Sequence, residues 1–91
     1  MATSPPDLRT LIDFPSTFVF RVMAEASEGL VASCEDAVAE ALGRRASGVE
    51  LRESSAGRYL AVRLSAEVRS PEEIYAVYAA LRQVPGVRLI L

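Results

Sequence analysis

Between Ser54 and Glu73 the chain spells out a turn, a strand and a helix start without interruption. Ser54-Ser55-Ala56-Gly57 is small and turn-permissive. From Arg58 to Val68 the residues then alternate. Leu60, Val62, Leu64, Ala66 and Val68 fall on one side, and Tyr59, Ala61, Arg63, Ser65 and Glu67 on the other. A period of two sustained this long describes a half-buried antiparallel strand. Ser70-Pro71-Glu72-Glu73 follows with a cap, a proline at the first helical position and a carboxylate three residues after the cap.

The remainder fits around that centre. Ser4-Pro5-Pro6-Asp7 starts a short leader helix carrying Leu8, Leu11 and Ile12, which Pro15 ends because the residue before a proline avoids the α region. Ser16 to Met23 reads as a strand, with Phe18, Phe20 and Val22 opposed to Val19, Arg21 and Met23. Ser27 is the expected N-cap of a long helix whose apolar stripe runs Leu30, Val31, Cys34, Val38, Ala41 and Leu42. Gly43 is its expected left-handed stop, and Arg44 and Arg45 complement the helix dipole. Val49 to Glu53 makes a hairpin with the central strand. Pro71 to Gln83 is a second helix, with Ile74, Val77, Tyr78 and Leu81 inward. Pro85-Gly86 breaks the chain before a last strand, Val87 to Leu91.

The order β-α-β-β-α-β predicts an α+β, ferredoxin-like sandwich. Its four-stranded antiparallel sheet has order 4-1-3-2, with both helices on one face and the leader helix in front. Residues 1–7 are expected to form a flexible leader and residues 8–91 a single domain; 91 residues leave no room for a second core. No basic stretch followed by an apolar run marks a secretory signal, and no run is long enough to cross a bilayer. One cysteine, Cys34, fits a reducing cytoplasm, the expected location.

Several chemistries lack their residues. The chain has no His, Lys, Asn or Trp, and its ten arginines face twelve carboxylates for a net charge of −2. Without an imidazole, and with Cys34 on an inward stripe, no activated nucleophile is visible, so no catalytic residue is assigned. No Cys or His cluster suits a metal, and no glycine-rich loop suits a cofactor phosphate. Neither a metal nor a cofactor is expected. Acylphosphatases share the predicted fold but rely on an asparagine, which is absent.

Phe14-Pro15, Phe18, Val22-Met23, Ser54-Ser55-x-Gly57-x-Tyr59, Tyr78 with Leu81 and the apolar C-terminal strand resemble the YbeD-like family of small bacterial proteins, over Leu8 to Leu91. Members usually carry Gly where this chain has Ala24, and often Asn and Ser where it has Arg58 and Ala61. The resemblance implies a fold similar to the ACT regulatory domains of amino-acid metabolism, and it brings no activity with it. An ACT-like use of the loop before the first long helix would make Glu25, Ser27, Glu28 and Gly29 a candidate ligand loop. A glutamate would meet an ammonium there, and helix amides a carboxylate.

The sheet face away from the helices is the other candidate. It is expected to show Val19, Arg21, Met23, Tyr59, Arg63, Arg88 and Ile90, a mixture of apolar and basic groups. Val87, Leu89 and Leu91 lie on an edge strand without the proline or charge crowding that blunts edges, and form a candidate self-association edge. The expected function is that of a small regulatory or interaction module, not an enzyme. It would bind a protein partner or small metabolite and form homo-oligomers through its sheet, with no membrane role. The alternative is nucleic-acid binding through Arg21, Tyr59, Arg63 and Arg88. The acidic composition and the single aromatic on that face argue against it.

Overall fold

The computed structural model of the protein describes residues 13–54 and 56–91. The expected leader helix and the 1–7 segment lie outside them. The elements run β1 (Ser16–Glu25), α1 (Leu30–Leu42), β2 (Gly48–Glu53), β3 (Tyr59–Val68), α2 (Pro71–Arg82) and β4 (Val87–Ile90). The strands form one antiparallel sheet in the order β2-β3-β1-β4, the predicted 4-1-3-2 read from the other edge.

At its centre β1 and β3 pair without a break from Ser16 opposite Val68 to Glu25 opposite Tyr59. Paired residues share a face, so the two alternations reinforce each other. Phe20, Val22 and Ala24 meet Leu64, Val62 and Leu60 on the helix side. There Leu30, Cys34, Ala37, Val38 and Leu42 of α1 and Ile74, Val77 and Leu81 of α2 complete a core with no buried polar or charged residue among those described. Tyr78 closes it against Phe20, edge to face with ring centres 5.4 Å apart, and Phe18 lies 4.8 Å from Phe20. Cys34 is wholly buried, and burial, with the nearby Glu35 charge, pushes its thiol pKa up. It packs as a small apolar side chain.

The helix ends follow the sequence with two exceptions. Ser70 caps α2, its Oγ accepting the Glu73 N–H at 3.4 Å, and Gly43 ends α1 at φ 72°. Ser27, however, does not cap α1. Gly29 occupies that position at φ 80°, and Ser27 contributes only its carbonyl, which accepts the Leu30 N–H. The chain must turn from β1 into α1 within residues 26–29, and glycine takes that left-handed geometry without strain. The second exception is Arg44, expected only to complement a dipole. Its guanidinium donates to the Leu42 carbonyl at 3.0 Å, to the Glu67 carbonyl and to Glu73 Oε1 at 2.8 Å. Glu73 also accepts the Arg69 N–H at 2.7 Å, so one ion pair ties the end of α1 to the start of α2.

β4 departs most from the expected pattern. Met23 pairs with Leu89, but Ala24 pairs with Val87, leaving Arg88 as an extra residue in a bulge. Counted from Val87, the extra residue reverses the parity of everything after it. Val87 and Ile90 both pack against the core, so Ile90 is not on the open face and Val87 is not a free edge residue. Leu89 and Leu91 instead share the open face with Met23 and Arg21, Leu91 exchanging main-chain hydrogen bonds with Arg21 at 2.7 and 3.1 Å.

Two predictions test this account. Truncating Phe20 to Ala should cost about 3–5 kcal/mol in urea unfolding, while Val19→Ala, one residue away on the open face, should cost less than about 1 kcal/mol. The second concerns acid. Hydrogen bonding from Arg44, then the Arg69 amide, holds the Glu73 carboxyl below its ordinary pKa. Stability from a depressed carboxyl is complete above the unfolded-state pKa and vanishes as pH falls through the folded-state value. Glu73→Gln should therefore lower the urea midpoint at about pH 7 and approach the parent protein as the pH falls through the carboxyl's depressed value.

Candidate functional site

Odd-numbered residues of β1 and β3 leave the helix-free side of the sheet open. Across it, Glu50, Arg63, Arg21 and Leu91 form one row, and Arg52, Ala61, Met23 and Leu89 the next. These rows line a hollow of about 520 Å³. Val19 lies beyond it at one end, while Tyr59 and Glu25 oppose each other at the other. The apolar members are well exposed: Val19 at 40%, Met23 at 41%, Leu89 at 51% and Leu91 at 64%, too much for side chains serving the core alone.

The two arginines at the centre are directly opposite each other. Arg21 spends its main-chain groups on Leu91, just past β4, so toward β3 it belongs to a pair without hydrogen bonds. In such pairs the Cα atoms approach to about 4.5 Å, and the side chains rise close together. Among the described residues neither guanidinium has an ion pair or hydrogen bond. Glu50 stands opposite Arg63 on its other side without closing an ion pair. The hollow is lined by three arginines and one glutamate, in a chain whose net charge is −2.

Arg88, expected on this face as a free cation, is instead paired with Glu25 across the bulge. Hydrogen bonding and the Glu25 charge raise its pKa further. That pair also engages the first residue of the candidate ligand loop. Ser27, Glu28 and Gly29 are exposed in the turn beyond it, and none of the three lines the hollow. Glu50 and Arg52 were missed as face residues because β2 reads from sequence as a charged edge. Their period-two partnership with Arg63 and Ala61 is the signal that places them. Among the described residues no three His, Cys, Asp or Glu side chains gather as for a metal, and no helix is long and apolar enough to cross a membrane.

A family model described as "Protein of unknown function (DUF493)" matches residues 9–91. A UPF0250 protein of Idiomarina loihiensis is 34% identical over 84 residues, covering 89% of this chain and 91% of its own. Another, from Pectobacterium atrosepticum, is 33% identical over 87 residues, covering 92% and 95%. The solution structure of protein HP0495 from H. pylori superposes with a TM-score of 0.73 at 20% identity, covering 88% of this chain and 85% of that one. These matches bear out the resemblance to the YbeD-like family read from the residues, and the structural likeness bears out the fold.

Like charges placed directly across a ladder destabilise it, so removing one should stabilise the protein. Arg21→Thr is expected to raise stability by about 0.2–1 kcal/mol in urea unfolding at low salt. Added salt, by screening the parent's repulsion, should shrink that gain. A loss of stability would mean that Arg21 serves the fold.

Proposed function

We propose, on the premise that the chain belongs to the DUF493 family of proteins of unknown function, that it is a small non-enzymatic interaction module whose open sheet face receives a segment of a partner protein. The observation that carries this reading is the solvent-facing row of Met23 and Leu89 beside the unpaired Arg21 and Arg63. A domain from residue 8 onward would act as one body in the cytoplasm, without a cofactor. The hollow lies open on the sheet face, which suits a segment laid on the surface better than an enclosed small metabolite.

Self-association through the sheet has a separate support. Alternation along β4 turns the main-chain groups of Ile90 away from β1, toward an edge that no described strand covers. Nucleic-acid binding has less. Tyr59 is the one aromatic of the open rows, and Arg88 is already engaged by Glu25.

A photoreactive residue in place of Met23, introduced into the full chain in cells, should give discrete cross-linked products, whereas the same residue in place of Asp36 on the outer side of α1 should not. Adducts of twice the chain's mass that disappear with Leu89→Arg would identify a second copy; larger, distinct masses would identify a partner. Equal adducts from both positions, or none from position 23, would overturn the reading.

A further inference from the structure

The open face also constrains the chemistry of what it binds. We infer that the partner segment, whose docking rests on the reading above, is extended and acidic, with a carboxylate seated between Arg21 and Arg63 and an apolar side chain two residues along lying against Met23 and Leu89.

Charge complementarity argues for the carboxylate. Two guanidinium groups rise side by side from the narrow pair of the central ladder, and no described residue neutralises them. Arg52 adds a third positive charge to the hollow, and Glu50 offsets only one. A guanidinium is a planar fork that meets a carboxylate with two parallel hydrogen bonds, so a pair of them can hold one carboxylate from both sides. The opposite surface acts in the same direction. The exposed side of α1 carries Glu35, Asp36 and Glu40 and no arginine, so an acidic chain is repelled there and favoured on the sheet.

The spacing argues for the apolar neighbour. Arg21 and Met23 are two residues apart on β1, which sets successive rows of the face about 6.6 Å apart. An extended segment lying parallel to β1 presents alternate side chains at the same interval. A glutamate over the arginine row therefore brings the residue two positions on over Met23, Ala61 and Leu89. Bases stacking on this face would find Tyr59 beyond the hollow and no aromatic in either row that lines it, which sets a peptide above an RNA strand.

The test uses the full chain, a short peptide repeating glutamate-serine-leucine-serine, its glutamine counterpart, and a same-composition peptide with the glutamates grouped together. Titration followed by amide NMR should shift residues of β1 and β3 around Arg21 and Arg63 with the first peptide. Affinity should fall about tenfold or more with glutamine, and by a similar factor with Arg21→Gln or Arg63→Gln. It should weaken several-fold between about 50 and about 300 mM salt. The grouped peptide should also bind less well. Equal binding of the glutamine peptide, indifference to both arginine variants, no shift with any peptide, or tighter binding of an oligouridylate would each overturn the inference. Cross-linking from position 23 without binding of the glutamate peptide would leave the docking reading standing and remove only the acidic chemistry.

Discussion

The parity of one ladder organises the molecule. Because β1 and β3 pair in a single register from end to end, each residue is assigned to the helix side or to the open side by whether its number is even or odd. The even set supplies Phe20, Val22, Leu64 and Val62 to a core closed by two helices. The odd set supplies Val19, Arg21, Met23, Ala61 and Arg63 to the open side. A slip by one residue would bury Arg21 and Arg63 and expose Phe20, at a cost far above the marginal stability of a domain this size. The composition of the open face is thus a consequence of the same register that builds the core.

That register was legible in the sequence because β3 alternates almost without error and each central strand carries its charged residues only on the outward parity. Helix 71–82 was legible for a related reason: its cap, proline and acidic first turn stand in consecutive positions. The last strand was not. In Val87-Arg88-Leu89-Ile90-Leu91 both parities contain apolar residues, so the pattern does not choose a face. Assuming unbroken alternation sent Ile90 outward and treated Leu89 and Leu91 as edge residues. The bulge at Arg88 exchanges those roles, and the three consecutive apolar residues after it were the one hint that a simple alternation would leave something exposed.

Other departures come from contacts that span long stretches of chain. Arg44 and Glu73 are 29 positions apart, and only the packing of α1 beside α2 brings them together. The sequence placed Glu73 three residues after the Ser70 cap and gave it no partner outside that turn. In the structure the carboxylate bonds the Arg69 amide and Arg44 instead, joining two helix ends that propensity treats separately. Gly29 likewise displaced Ser27, because a tight strand-to-helix turn asks for backbone freedom before it asks for a capping hydroxyl.

The two sheet edges differ in a way that bears on how the proposed activities coexist. β2 carries Glu50, Arg52 and Glu53, charges that discourage strand addition, whereas β4 offers Leu89 and Ile90, followed by Leu91. Growth of the sheet by a second copy would accordingly be confined to the β4 side. Strand addition engages main-chain groups in the plane of the sheet, while docking on the open face engages side chains perpendicular to it. The two therefore need not compete. Pairing along β4 would set the Leu89 and Leu91 rows of two copies side by side, lengthening the apolar border of each arginine pair. A segment too short to gain much from one face could then span both, and its affinity would depend on the concentration of the module itself.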